Sequence, residues 1–113
     1  MDISEIRSQY SELCEDNDWN VFHTPKNLAS ALSVSSAKLL EHFQWITEEE
    51  SLSLARIPDR KIRLGEELAN SFFHLLTLSQ KLGINLESVI EEKLSHDEAT
   101  YQGIPDDFVI DEN

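Results

Sequence analysis

Apolar residues recur at every third or fourth position along four stretches of this chain, with polar residues between them. That spacing is typical of α-helices that bury one face and expose the other. The predicted helices cover residues 3–15, 25–46, 59–82 and 85–101. The pattern therefore predicts an all-α fold.

Capping residues mark where these helices begin and end. Asp2 is a plausible cap for the first helix, and Thr24 for the second. Pro25 suits the first helical turn, because no amide hydrogen is needed there and the ring already fixes a helical backbone angle. Gly83 is well placed to stop the third helix. The connection at residues 47–58 has room for one short helical turn.

The third predicted helix is apolar over more than one face. Its main stripe is Leu64, Leu68, Phe72, Leu75, Ser79 and Leu82, widened by Ile62, Ala69, Phe73 and Leu76. A face this wide is typical of a helix that packs on two sides, as in a bundle completed by a second subunit. We therefore expect a four-helix bundle completed by dimerisation, either as a homodimer or as a tetramer of two dimers.

Length and composition favour one folded domain. The chain has 113 residues, of which 40% are hydrophobic and 27% charged, with only three glycines and three prolines. These proportions are ordinary for a globular protein, and so few helix-breaking residues favour long helices. We predict a single helical domain over residues 1–102 and an acidic C-terminal tail over residues 103–113.

The net charge of −13 restricts the partners that this chain can have. Nucleic acids and anionic membranes are disfavoured, because proteins bind them through clustered Lys and Arg. A free nucleotide stays compatible if divalent cations or a local basic pocket offset the repulsion. Cys14 is the only cysteine, which excludes an internal disulfide. The first residues carry no secretory signal pattern, so we expect a cytoplasmic protein.

The most distinctive strings are DWNVFHTPKNLASAL at residues 18–32, LLEHFQW at 39–45 and GEELANSFFHLLTLSQKLGINLESVIEEK at 65–93, followed by Tyr101. Together they resemble the MazG-like nucleotide pyrophosphohydrolases, most closely the dCTP pyrophosphatase branch. The resemblance implies an α-helical enzyme that converts a nucleoside triphosphate to a monophosphate and pyrophosphate. It also implies magnesium ions held by Glu-x-x-Glu on one helix and Glu-x-x-Asp on the next, since residues i and i+3 share a helix face.

In this register the four metal positions fall on Ser35, Lys38, Glu67 and Asn70. Only Glu67 keeps a carboxylate. An ammonium at Lys38 could replace the metal ion through a salt bridge to Glu67, and Ser35 avoids placing a charge within the apolar stripe. The resemblance therefore predicts a degenerate metal site that needs no cofactor, or that uses magnesium only if activity is kept.

The positions that resemble the family's nucleotide pocket are better preserved. They are Trp19, Phe22, His23, Asn27, Trp45, Lys93 and Tyr101. An aromatic side chain can stack on a base, and His or Asn can bind its polar edge. Trp and Phe near helix starts are also common packing anchors, so plain packing is the alternative for these aromatic residues.

Three functions stay open at this point, and the sequence does not decide whether the protein is an enzyme. The first is a catalytically impaired or inactive family member that binds a nucleotide or a protein partner. The second is an active pyrophosphohydrolase with an altered metal site, in which Glu41, Glu66 or Asp97 joins Glu67. His74 shares a polar edge with Glu67, although a solvated edge is the more common meaning of that pattern. The third is an acidic interaction protein, supported only by the net charge.

Overall fold

A computed structural model describes the backbone of residues 2–100 and the side chains of residues 2–96, and all regular structure within them is helical. The α-helices are α1 (Ile3–Asp16), α2 (Pro25–Glu41), α3 (Glu48–Ser53), α4 (Pro58–Lys81) and α5 (Leu86–Thr100), with 3-10 turns at Trp19–Phe22 and Leu54–Arg56. The predicted all-α fold is confirmed, and α3 is the short turn for which the sequence left room.

The predicted capping residues act where the sequence placed them. Asp2 Oδ1 accepts a hydrogen bond of 2.8 Å from the amide of Glu5, and Thr24 Oγ1 accepts one of 3.2 Å from the amide of Asn27. Gly83 follows α4 with a φ of 69°, a left-handed conformation that glycine adopts without steric cost. Local chemistry therefore fixes the starts of α1 and α2 and the end of α4.

The end of α2 differs from the prediction. We expected this helix to reach Trp45 or Ile46, whereas it ends at Glu41. The amides of Phe43 and Ile46 bond to carbonyls three residues earlier, at 2.9 and 3.3 Å, so the chain tightens into successive turns. Trp45 is 86% exposed, so its packing gives no reason for the helix to continue.

A complete capping box starts α3. The amide of Thr47 donates to Glu50 Oε1 at 2.9 Å, and the amide of Glu50 donates to Thr47 Oγ1 at 3.1 Å. Each side chain satisfies an amide that the first helical turn leaves without a partner. This reciprocal pair explains why so short a helix forms.

The core lies where α2 packs along α4. Leu28 on α2 is 2% exposed, and Leu76 on α4 is 1% exposed. The N-terminal helix adds to the other flank of α4, because the Tyr10 and Phe73 rings stack with centroids 4.4 Å apart. The two packed helices α2 and α4 thus form the frame that carries the candidate site.

One side of α4 stays uncovered in the single chain. Leu68, Phe72 and Leu75 are 57%, 36% and 41% exposed, although all three belong to the predicted apolar stripe. A second subunit would cover such a face. Because only one chain is described, dimerisation stays a prediction.

The residues up to Gly83 form one compact unit, and α5 belongs to a second unit that begins at Ile84. The predicted domain over residues 1–102 and tail over residues 103–113 extend beyond the described residues and stay predictions. None of the described helices combines the length and apolar character needed to cross a membrane.

Candidate functional site

A polar cavity of about 460 Å³ brings three of the four predicted metal positions together. Lys38 enters it from α2, and Glu67 and Asn70 enter it from α4. The complete lining is Lys38, His42, Arg63, Glu66, Glu67, Ala69 and Asn70. We call this space the polar cavity.

Ser35 takes a different place from the other three positions. It is 6% exposed and is not among the residues that line the polar cavity. It lies one helical turn before Lys38 on the same side of α2. A carboxylate at this position would be a buried charge, which only a cation close by could stabilise.

The donor set of the polar cavity does not fit a magnesium ion. Its two carboxylates come from the adjacent residues Glu66 and Glu67, whose side chains diverge by about 100° around the helix. The ammonium of Lys38 on the facing helix would repel a divalent cation. Within the residues whose side chains are described, no three His, Cys, Asp or Glu side chains are grouped to hold a metal.

The charged side chains of the polar cavity stay apart. Neither Lys38 nor Arg63 forms an ion pair with any carboxylate in the described part of the chain, so the expected salt bridge from Lys38 to Glu67 is not formed there. A cavity that keeps cations and anions without pairing them can bind a charged ligand without first breaking an internal contact.

His42 connects the polar cavity to Arg60. The guanidinium of Arg60 lies 3.2 Å from Nδ1 of His42. Because arginine can only donate, Nδ1 must accept, and the proton of the neutral ring is then on Nε2. The contact fixes the tautomer that offers an N–H donor at the far side of the ring.

A second cavity, of about 440 Å³, gathers three of the predicted base-pocket residues. Phe22, His23 and Asn27 line it together with Leu28, Ser30, Ala31, Val34 and His74. We call this space the apolar cavity. Trp19 and Trp45 are absent from the lining of both cavities.

Two imidazoles, those of His23 and His74, are among the polar groups of the apolar cavity. Burial, and to a smaller extent the charges of Lys81 and His74, hold the pKa of His23 below its ordinary value. Burial also lowers the pKa of His74. Each ring therefore keeps one donor and one acceptor at neutral pH, which is what the edge of a nucleobase requires. Nδ1 of His23 is buried and has no hydrogen-bond partner.

Asn27 is held by the loop that precedes α2. Its side-chain amide donates to the carbonyl of Phe22 at 3.1 Å, while its backbone amide donates to the Thr24 cap. The amide oxygen of the side chain is left to accept from a ligand. The helix start therefore orients this residue at the mouth of the apolar cavity.

Of the remaining predicted site residues, only Glu66 lies at one of the two cavities within the part of the chain whose side chains are described. Glu66 lines the polar cavity, whereas Glu41 is exposed and lies outside its lining. Lys93 belongs to α5 in the second unit. The side chain of Asp97 and all of Tyr101 fall outside the described residues.

Two residues of the polar cavity were missed by the sequence reasoning. His42 directly follows α2 and Arg63 lies on α4, neither was assigned a role, and only the packing of α2 on α4 brings them together. A basic residue one turn before Glu67 on the same helix was the one signal that pointed to Arg63.

Comparisons with known proteins identify the family of this chain. A profile of the MazG-like family matches residues 31–110. The chain is 30% identical over 99 residues to dCTP pyrophosphatase 1 from Bos taurus and 29% identical to the Homo sapiens protein of that name, in each case over 88% of this chain. It spans 59% of the bovine protein and 58% of the human one.

A solved structure agrees as well. The crystal structure of a pyrophosphatase from Archaeoglobus fulgidus superimposes with a TM-score of 0.77 at 32% identity, covering 88% of this chain and 91% of that one. The predicted resemblance to the dCTP pyrophosphatase branch is confirmed by these relatives. The chain belongs to the MazG-like family.

Proposed function

We propose that this protein is a nucleotide-binding member of the MazG-like family whose ability to hydrolyse the nucleotide is impaired or lost. The observation that carries the proposal is the pair Lys38 and Asn70 in the polar cavity, at positions where the family resemblance expects carboxylates. A metal-dependent pyrophosphohydrolase needs oxygen ligands that converge on its ions. The ammonium of Lys38 and the amide of Asn70 take the places of two of these carboxylate ligands.

The nucleotide-binding part of the proposal is supported by how the two cavities are arranged. On α2, Val34 of the apolar cavity precedes Lys38 of the polar cavity by one turn, and on α4 Asn70 precedes His74 by one turn. Four residues of helix advance by about 6 Å. A nucleotide whose base occupies the apolar cavity would therefore extend its phosphates toward the polar cavity. The relatives named dCTP pyrophosphatase make dCTP the first nucleotide to test.

Addition of dCTP is expected to raise the melting temperature without release of pyrophosphate. A ligand that binds only the folded state stabilises it by about 2.7 kcal/mol when present at one hundred times its dissociation constant. Thermal shift measures the binding, and a pyrophosphate assay with and without magnesium measures turnover.

His74→Ala provides a site variant for this assay, because it removes a polar group from the apolar cavity. Lys61→Met is the matched surface control, since Lys61 is exposed and outside both cavities. The stabilisation by dCTP should fall in the first variant and persist in the second. Magnesium-dependent release of pyrophosphate at rates typical of the family would refute the proposal that hydrolysis is impaired or lost.

An active pyrophosphohydrolase with an altered site is the second candidate. Its support is that Glu66 and Glu67 both line the polar cavity. Under this alternative the wild-type protein releases pyrophosphate, and Glu67→Ala abolishes that release. The same assay therefore separates the two functions.

We also propose that the protein acts as a homodimer through the uncovered side of α4. The exposed Leu68, Phe72 and Leu75 support this, because an apolar surface on one helix face gains free energy when a second copy covers it. Leu68→Glu combined with Leu75→Glu is expected to give a monomer of about 13.0 kDa in analytical ultracentrifugation. Leu52→Glu alters a side chain that is 86% exposed on α3 and should keep the dimer. A wild-type protein that sediments as a monomer would contradict the proposal.

A further inference from the structure

We infer that the polar cavity binds the phosphate chain of a nucleotide through its own side-chain cations, without a divalent metal ion. This inference rests on the proposed nucleotide binding and adds how the phosphates are held. Its starting point is the mismatch between the donor set and magnesium. The groups that make the cavity unsuitable for a cation are the ones that suit an anion.

The main cations of the polar cavity are Lys38 and Arg63, one from each helix. An ammonium offers three donors and a guanidinium five, and phosphate oxygens accept charge-assisted hydrogen bonds from both. Because neither side chain is ion-paired within the described residues, both remain available to a ligand. Their positions on opposite helices allow them to hold a phosphate chain from two sides.

His42 supplies a third donor in a fixed orientation. Arg60 donates to Nδ1 of His42 at 3.2 Å, so the ring presents Nε2–H. The guanidinium of Arg60 also brings a further positive charge to the ring. The amide of Asn70 can donate as well, where a carboxylate in its place would repel phosphate.

The two carboxylates of the polar cavity are partly offset by their neighbour on the helix. Glu66 and Glu67 follow Arg63 by three and four residues, so all three lie on adjacent parts of the α4 surface. The lining therefore holds two cations, Lys38 and Arg63, and two carboxylates, and Arg60 adds a further cation through His42. This balance contrasts with the net charge of −13 of the whole chain. Within a strongly acidic protein, the cavity thus gathers cations that have no ion pair in the described part of the chain, and such cations are the groups that the phosphates of a nucleotide require.

Its volume and location fit the same ligand. About 460 Å³ is within the range of small-molecule sites, and the apolar cavity begins one helical turn away along α2 and α4. A nucleotide places its phosphates on one side of the sugar and its base on the other. The paired cavities reproduce that separation of charged and aromatic groups.

The test is isothermal titration calorimetry with inorganic triphosphate and with dCTP, each in EDTA and in magnesium. Inorganic triphosphate has no base, so it reports on the polar cavity alone. We expect wild-type protein to bind both ligands in EDTA. Lys38→Met and Arg63→Gln should each weaken the binding of triphosphate about tenfold or more, because each removes a charge-assisted hydrogen bond.

Matched controls remove the same charge elsewhere. The control variants are Lys61→Met and Arg56→Gln. Lys61 lies on α4 outside the cavity lining, and Arg56 precedes that helix. Both should leave the affinity for triphosphate within about twofold of wild type, since exposed charges at a distance are screened by salt. Circular dichroism of each variant verifies that it is folded.

The outcomes separate this inference from the proposed function. Binding of dCTP only when magnesium is present, or unchanged affinity for triphosphate in Lys38→Met and Arg63→Gln, would overturn the inference and leave nucleotide binding intact. Absence of dCTP binding under both conditions would overturn the proposed function. Metal-free binding that is lost in the two cavity variants and kept in the two controls supports the inference.

Discussion

Replacing Leu76 with alanine is expected to lower the free energy of unfolding by about 2–5 kcal/mol. The side chain is 1% exposed, on the helix that packs along α2. Its removal forfeits the burial of a large apolar group and leaves a cavity that rigid helices fill only in part. A domain of this size has a total stability of about 5–15 kcal/mol, so the loss is a large fraction of it. Urea denaturation followed by circular dichroism measures the change.

Leu52→Ala is the matched control for Leu76→Ala, because it makes the same truncation in a side chain that is 86% exposed. Surface substitutions of this kind usually change stability by less than about 0.5 kcal/mol. Equal losses in the two variants would mean that Leu76 does not lie in the core. An unchanged slope of the urea transition would show that the variants unfold to a comparable state.

The contrast between Leu76 and Leu75 shows what helical periodicity can predict. Both belong to the apolar surface that the sequence assigned to this helix, with Leu75 in the main stripe and Leu76 on its edge. In the fold Leu76 is buried and Leu75 is 41% exposed. Periodicity identifies the helix and its apolar side, but the neighbouring helix decides which part of that side is covered. That neighbour is a tertiary feature which no local pattern contains.

Helix boundaries were predictable wherever a capping residue fixes them. Thr24 starts α2 and Gly83 ends α4 through contacts and backbone angles within a few residues, so both boundaries can be predicted from the local sequence. The predicted end of α2 was wrong, because the position of this end depends on whether Trp45 has a surface to pack against. The exposed indole shows that it does not in the single chain.

The candidate site was predictable in its motif and not in its surroundings. The resemblance placed Lys38, Glu67 and Asn70 at metal positions of the family, and the structure brings these side chains to one cavity. The contact between His42 and Arg60 joins residues that are 18 positions apart, one just after α2 and the other on α4. Such a pair has no spacing rule, and its significance appears only once the helices are packed. Of the cations in the phosphate-binding inference, Lys38 was identified in the sequence, whereas Arg63 and Arg60 were identified only in the fold.

Converting the site back to four carboxylates is expected to create magnesium binding that the wild-type protein lacks. The triple variant Ser35→Glu, Lys38→Glu and Asn70→Asp restores Glu-x-x-Glu on α2 and Glu-x-x-Asp on α4, with Glu67 as the fourth ligand. Each pair shares a helix face, so packing of the two helices directs four carboxylates toward one region. Calorimetry with magnesium chloride measures the binding.

The stability of the triple variant should depend on magnesium for a physical reason. Ser35 is 6% exposed, so glutamate at this position buries a charge, which costs several kcal/mol without a cation nearby. Magnesium at one hundred times its dissociation constant would return about 2.7 kcal/mol. Lys61→Glu reverses a charge outside the polar cavity and should gain neither binding nor stability from magnesium. A folded triple variant that binds no magnesium would mean that α2 and α4 do not present these positions as the family register requires. Because the inferred phosphate site uses Lys38, the same variant should also lose its affinity for triphosphate in EDTA.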